Sequence, residues 1–264
     1  MTSFFKTTRF VLVCLGMCLF LGACKYEELA PADYPKQILY LPTAKNGVFA
    51  IASLPAPGVV YRFTVKLAEK KVIVPLSVFR GGVSVDGEVP VTVVANADTV
   101  SKMIAANKLL NTEALPSSKF TLPASVTIPT GGESAPFDLS IDLDYLLANP
   151  GKKLAVGVSI ASPQTPVNPL LKTTVISIDP AIFKPTTDFS SKPDATTPRK
   201  IAFTNTSLNA LSYSWNFGDG STPSTDKAPI YTYANAGTYT VTLTAIGITG
   251  SADAVKKTAT ITIL

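Results

Sequence analysis

The fold class this sequence predicts is all-β: two β-sandwich domains in tandem, with one short helix in the first. Three observations carry that reading. Twenty-one prolines and sixteen glycines are scattered without period through 264 residues, so they punctuate many short segments. Apolar residues recur at every second position in several runs, for example over 137–143 and 239–243. Hydrophobic residues make up 46% and charged residues 16%, a balance that buries a core rather than leaving a polyelectrolyte coil. The length suits one large domain or two ordinary ones.

The amino terminus comes first. Residues 1–9 carry Lys6 and Arg9 and no acid, and residues 10–21 are apolar apart from Gly16. Twelve helical residues span about 18 Å, short of a hydrocarbon core of about 30 Å, so this run reads as the apolar region of an export signal rather than a membrane span. A buried core helix is the other reading, and the charged flank does not suit it. Leu21-Gly22-Ala23-Cys24 follows. It resembles the bacterial lipobox, in which small residues before a cysteine admit the lipoprotein signal peptidase. The resemblance implies that 1–23 is removed as a signal peptide and that Cys24 is lipidated. Several acyl chains on one residue, at about 0.8 kcal/mol per buried CH₂, anchor far better than one.

Residues 24–36 then form a tether, stiffened by Pro31 and Pro35. Its Lys25-Tyr26-Glu27-Glu28 places an acidic pair just behind the cysteine. That resembles the surface-export signal of Bacteroidota lipoproteins; as plain chemistry it is a solvated tether. The expected location is the outer membrane, lipid-anchored and facing the cell surface, with a periplasm-facing placement as the alternative.

Composition removes several chemistries. There is no histidine, so neither a Ser-His-Asp site nor a histidine-bound metal is available. Of the three cysteines, Cys14 and Cys18 fall in the signal and Cys24 is the lipidation site. The mature body therefore has no thiol and no disulfide, and it must rely on its core. No cofactor and no metal site are expected. The formal charge of +5 drops to +3 when Lys6 and Arg9 leave with the signal. The remaining basic residues are scattered, with Lys70-Lys71, Lys152-Lys153 and Lys256-Lys257 as the only notable pairs, so nucleic acid is not an expected partner.

Residues 37–180 read as the first sandwich. An apolar run over 72–79 is interrupted by Pro75, which suggests an edge or a bulge. Gly81-Gly82 and Asp86-Gly87 signal turns, and 89–95 is the next strand. A helix is expected over 98–110, capped by Asp98, with Val100, Met103 and Ile104 on one stripe. Strands return at 120–122, 125–128, 135–143, 154–161 and 172–179. The ordered pattern Asn107, Leu115-Pro116, Phe120, Val126-Thr127-Ile128, Gly131-Gly132, the alternation over 137–143 and the strand at 156–160 resembles a domain of unnamed function in Bacteroidota surface lipoproteins. Such domains sit beside glycan-binding, laminin-G-like or glycoside-hydrolase modules in polysaccharide-utilisation systems. No hydrolase module follows here, which weakens any expectation of catalysis.

Residues 184–198 are rich in Pro, Thr and Ser and read as a hinge plus an opening strand. The second domain is expected over 186–264. Tyr213, Trp215 and Phe217 fall two apart, which turns all three rings to one strand face; Tyr239, Val241 and Leu243 repeat the pattern. Gly218-Asp219-Gly220 supplies a tight turn. Together with Phe203-x-Asn205-x-Ser207, Tyr213 to Ser221, Tyr233-Ala234 and Gly237 to Leu243, these residues resemble a PKD domain, which implies an immunoglobulin-like sandwich.

Candidate chemistry is sparse. Asp138, Asp142 and Asp144 alternate with apolar residues, which on a strand would put Asp142 and Asp144 about 7 Å apart on one face. That spacing resembles an inverting glycosidase pair, or a calcium site, but the solvated face of a half-buried strand accounts for it more simply. Turn chemistry likewise accounts for Asp219. No catalytic residue is assigned. Sugars stack on exposed rings, and Tyr61, Tyr145 and Tyr231 have neighbours polar enough to allow exposure, although a tyrosine so placed is more often a half-buried strand or loop residue. The expected function is a non-catalytic cell-surface lipoprotein that binds glycans as an accessory of a polysaccharide-utilisation system. The alternative is an adhesion or structural protein using the PKD-like domain as a spacer or protein-contact module. Expected partners are the outer membrane, through the lipid anchor, and a polysaccharide or another surface protein.

Overall fold

A computed structural model describes residues 35–54 and 62–264. The leader, Cys24 and Tyr61 lie outside the described residues. In chain order the first part contains β1 (Ile38–Tyr40), β2 (Val48–Ile51), β3 (Thr64–Lys66), β4 (Lys71–Gly81), β5 (Val89–Ala95), helix α1 (Ala97–Ala105), β6 (Thr112–Ala114), β7 (Phe120–Thr121), β8 (Ser125–Ile128), β9 (Ser134–Asp142), helix α2 (Leu143–Ala148), β10 (Lys153–Ala161) and β11 (Thr173–Ile178). One sheet runs β1–β4–β9–β7 with β3 also on β4; the other runs β2–β11–β10–β5–β8 with β6 on β10. The alternation of β4 and β9 sends Val72, Val74, Leu76, Leu139 and Ile141 inward, where they meet Val91, Val156 and Val158 of the facing sheet in one apolar core.

Strand β10 is buried at every position but its ends, because α1 covers its outer face: Val100 of the helix packs on Ala155 and Val175. A strand covered on both sides carries a continuous apolar run. Gly157 sits in its middle because a Cβ there would run into the Asn96 carbonyl, at the point where Asn96 N–H donates to Gly157 O (2.8 Å).

Three local readings change. Helix α1 starts one residue earlier than expected and ends at Ala105; its cap is Asn96, whose Oδ1 accepts from Thr99 N–H (2.9 Å), while Asp98 in the first turn pairs with Lys102. Asn107, at φ 55°, turns the chain away and stops it. Pro75 lies inside β4 with no break in its register to β9, but it falls between the stretch paired to β3 and the stretch paired to β1, so that flank of β4 is locally an edge. The first domain also holds a second short helix, α2.

One end of this sandwich is closed by a buried cation. Arg80 is 4% exposed, and its guanidinium donates to the carbonyls of Val85, Asp86, Gly87, Pro129 and Gly132. Every N–H it must hide from water finds an acceptor, so two loops are fastened by one side chain.

The second part contains β12 (Phe189–Pro193), β13 (Lys200–Asn205), β14 (Ser212–Asn216), β15 (Ile230–Thr232), β16 (Gly237–Gly247) and β17 (Gly250–Ile263), in sheets ordered β12–β13–β15 and β14–β16–β17. It is an immunoglobulin-like sandwich. Trp215 is wholly buried between Phe189 (5.1 Å, edge-on) and Phe203 (5.3 Å), and its Nε1–H donates to Asp226 O (2.9 Å).

The segment expected as a hinge is packed. Ile182 and Phe183, in a 3₁₀ turn at Pro180–Phe183, belong to the first core. Thr186 exchanges backbone hydrogen bonds with Leu208, and Asn209 Nδ2 donates to Ala181 O (3.0 Å). The tip of the β16–β17 hairpin reaches the first sandwich: Ile248 packs on its core, and buried Thr249 donates from Oγ1 to Phe183 O (3.2 Å).

Trp215→Ala is expected to destabilise the second sandwich by about 3–5 kcal/mol, measured by urea unfolding. Ile248→Glu places a charge against the first core. Calorimetry is expected to show one thermal transition for the wild type and two separate ones for this variant, since its effect falls on the coupling between the sandwiches.

Candidate functional site

At the end of the first sandwich where β9 runs into α2, the outer face of the β4–β9–β7 sheet carries a groove of about 360 Å³. Its floor follows from strand register: Thr121 pairs with Ser140 and Lys71 with Asp142, so these polar side chains share the solvent face while Ile141 and Val72 point to the core. The walls are Lys70 and Asp144 on one side and Ser118 and Lys119 on the other, with the ring of Phe120, register partner of Ile141, turned to the core.

Asp144 does not share the strand face of Asp138 and Asp142 as the alternation suggested. The strand ends at Asp142, and Asp144 is in the first turn of α2. The reason is capping: Asp142 Oδ1 accepts from Tyr145 N–H (3.1 Å) and starts the helix. Its Oδ2 accepts from Lys119 Nζ (3.0 Å). These two bonds, the backbone one first, hold the Asp142 carboxyl below its ordinary value. Asp138 stays on the exposed face of β9 opposite Pro75, outside the groove.

Across the groove, Asp144 Oδ2 accepts from Lys70 Nζ at 2.8 Å. That bond and the charge behind it hold the Lys70 ammonium above its ordinary value. Lys70 is in the left-handed region, φ 52°, an uncommon place for a side chain of its size. Its carbonyl accepts from Leu143 N–H (2.9 Å), so the β3–β4 turn is fastened to the start of α2. Lys119 Nζ lies 5.5 Å from the centroid of the Tyr145 ring, which is half-buried on the first core. Among the described residues, no group of three or more acidic or thiol side chains is placed to hold a metal ion.

Comparison with known proteins places the second sandwich. Residues 180–263 match the family model of the PKD domain. The C-terminal sandwich is a PKD domain. Residues 41–167 match a second family model, described as an N-terminal domain. Fifty residues are 46% identical to the pre-pro-metalloprotease PrtV of Vibrio cholerae, covering 19% of this chain and 5% of the protease, so the chain spans a small fraction of these curated relatives. The first PKD domain of PrtV, as a solved structure, aligns at 34% identity over 30% of this chain and 96% of that domain, with a TM-score of 0.27. A Bacteroides ovatus protein described as a proposed carbohydrate binder aligns over 86% of this chain and 70% of its own at 11% identity and a TM-score of 0.42. A two-domain Bacteroides fragilis protein of unknown function aligns over 84% and 92% at 9% identity and 0.41.

Within the PKD domain, Tyr231 on β15 stacks on Phe217 (3.8 Å, 10°) and donates to Asp219 Oδ2 (2.7 Å). One ring face and the hydroxyl are thus committed inside the domain. Asp219 Oδ1 accepts from Ser221 N–H (3.1 Å), which is turn chemistry. Tyr145 and Tyr231 therefore stand on separate sandwiches, and the structure does not gather them. The groove residues missed by sequence reasoning are Lys70 and Lys119; outside the groove, the aromatic pair Tyr40–Phe79 (6.0 Å), half-buried on the outer face of the same sheet, was missed too. Their partners lie far off along the chain, so no local period marks them.

The lowered Asp142 has a pH consequence. A folded value below the unfolded one contributes stability that is complete above about pH 3.9 and is lost as pH falls through the folded value. Asp142→Asn keeps a capping side chain and removes the charge. It is expected to be less stable than the wild type at pH 7, with the gap closing as pH drops below about 4, followed by urea midpoints across that range.

Proposed function

We propose that this protein is a non-catalytic, lipid-anchored accessory of a polysaccharide-utilisation system, held at the outer membrane by Cys24 and facing the cell surface, and that its first sandwich binds glycan. The observation that supports this most directly is the groove beside α2: several side-chain donors and acceptors converge on one open face. Hydroxyl-rich ligands are held by such convergent donors and acceptors. Asp142, held charged by its two hydrogen bonds, is the reverse of a general acid, which needs a raised value to protonate a leaving group.

A second reading, in which the protein is a structural or adhesion element and the PKD domain a spacer, draws support from the docked β16–β17 hairpin, since a spacer works by being stiff.

One experiment addresses both. In the native host, wild-type protein is expected in the detergent phase on phase partition and to be degraded by protease added to intact cells. Cys24→Ser is expected in the aqueous phase. Retardation of the wild type in native gels containing plant or host polysaccharides supports the glycan reading; no retardation by any of them, with a surface protein captured instead, favours the spacer.

A further inference from the structure

We infer that the groove beside α2 takes an uncharged stretch of glycan, one or two neutral sugar rings, and rejects acidic or sulfated ones; this rests on the glycan-binding reading above. Charge in the groove is balanced. The lining holds three lysines, Lys70, Lys71 and Lys119, and three carboxylates, Glu69, Asp142 and Asp144, so its formal charge is zero. Two of those lysines are already paired at 2.8 and 3.0 Å, each with a carboxylate inside the groove.

A uronate or sulfate entering here needs a cation of its own. Displacing Asp144 from Lys70 or Asp142 from Lys119 leaves it beside the carboxylate it displaced, and the third lysine, Lys71, stands directly across from Asp142 in strand register, so an anion drawn to it meets that carboxylate as well. Asp142 is the harder to displace, because its other oxygen caps α2. A sugar hydroxyl meets no such conflict. It is donor and acceptor at once, an ammonium has three donors with one taken here by a carboxylate, and a carboxylate has lone pairs beyond the one engaged. A hydroxyl therefore adds to each ion pair without unbalancing it. Ser140 and Thr121 on the floor offer the same two-way chemistry. A volume of about 360 Å³ lies at the small end of ligand sites, which run from roughly 300 to 1,000 Å³.

The test uses the full chain in native gels cast with neutral polysaccharides (a mixed-linkage glucan, a mannan, an arabinoxylan) or acidic ones (polygalacturonate, chondroitin sulfate). The wild type is expected to be retarded by at least one neutral polymer and by neither acidic one. Lys119→Ala and Asp144→Ala, both at partly exposed side chains and with unchanged melting temperature as the control, are expected to weaken that retardation at least tenfold. The double variant Asp142→Asn, Asp144→Asn leaves the groove basic and is expected to gain retardation by polygalacturonate. Retardation of the wild type by acidic polymers alone overturns the inference. So does neutral binding that survives both alanine substitutions and is lost in Tyr40→Ala. Either result leaves the glycan reading standing, whereas no retardation by any polymer removes both.

Discussion

At Asp142 one carboxylate ends a strand, starts a helix and fixes a lysine. Oδ1 takes the Tyr145 amide and turns the chain into α2, while Oδ2 takes Lys119 from the 3₁₀ turn ahead of β7. Without the cap, the alternation of β9 would carry Asp144 onto the strand face, away from Lys70. The second wall of the groove depends on the same event, because Leu143, the first residue of α2, gives its amide to the Lys70 carbonyl. A side chain in the left-handed region is tolerated there because both its backbone and its ammonium are held by α2.

That junction also shows what a sequence carries and what it hides. The PKD domain was legible because its signals are local: rings two residues apart, glycines on either side of Asp219, and a matching alternation in β16. Asp142 misled for the same reason. Carboxylates alternating with apolar residues fit a strand, and they fit equally a strand that stops in a capped helix, since Leu143, Leu146 and Leu147 also suit a helical stripe. At α1 the expected cap, Asp98, sits inside the first turn, and the cap is Asn96, whose backbone is also bonded to Gly157 far along the chain. Lys70 and Lys119 carried no mark at all. Their roles come from sheet order, which brings the β3–β4 turn and the approach to β7 to opposite sides of β9.

Composition misled at the connection between the sandwiches in another way. A Pro-, Thr- and Ser-rich segment reads as a hinge because it lacks apolar period, but period measures only what a segment buries in a regular element. Here the segment is held by backbone pairing of Thr186 with Leu208 and by Thr187 Oγ1 donating to Val255 O, while the apolar contact comes from Ile248 at a distant hairpin tip. Gly247 serves that approach: a Cβ there would press on the Pro185 ring and the Asn209 carbonyl. A contact assembled from three separate stretches has no signature in any one of them.

Stiffness and charge balance bear on the same question. A groove on a sandwich that swings freely samples its ligand at many angles, and ordering it on binding costs entropy each time. Docking of the hairpin removes that freedom in advance. The floor is set by strand register, the walls by two ion pairs that are complete before any ligand arrives, so little remains to be ordered. Such a site gives up strong attraction for any one charged group. What it keeps is a fixed array of donors and acceptors of the kind that match hydroxyls.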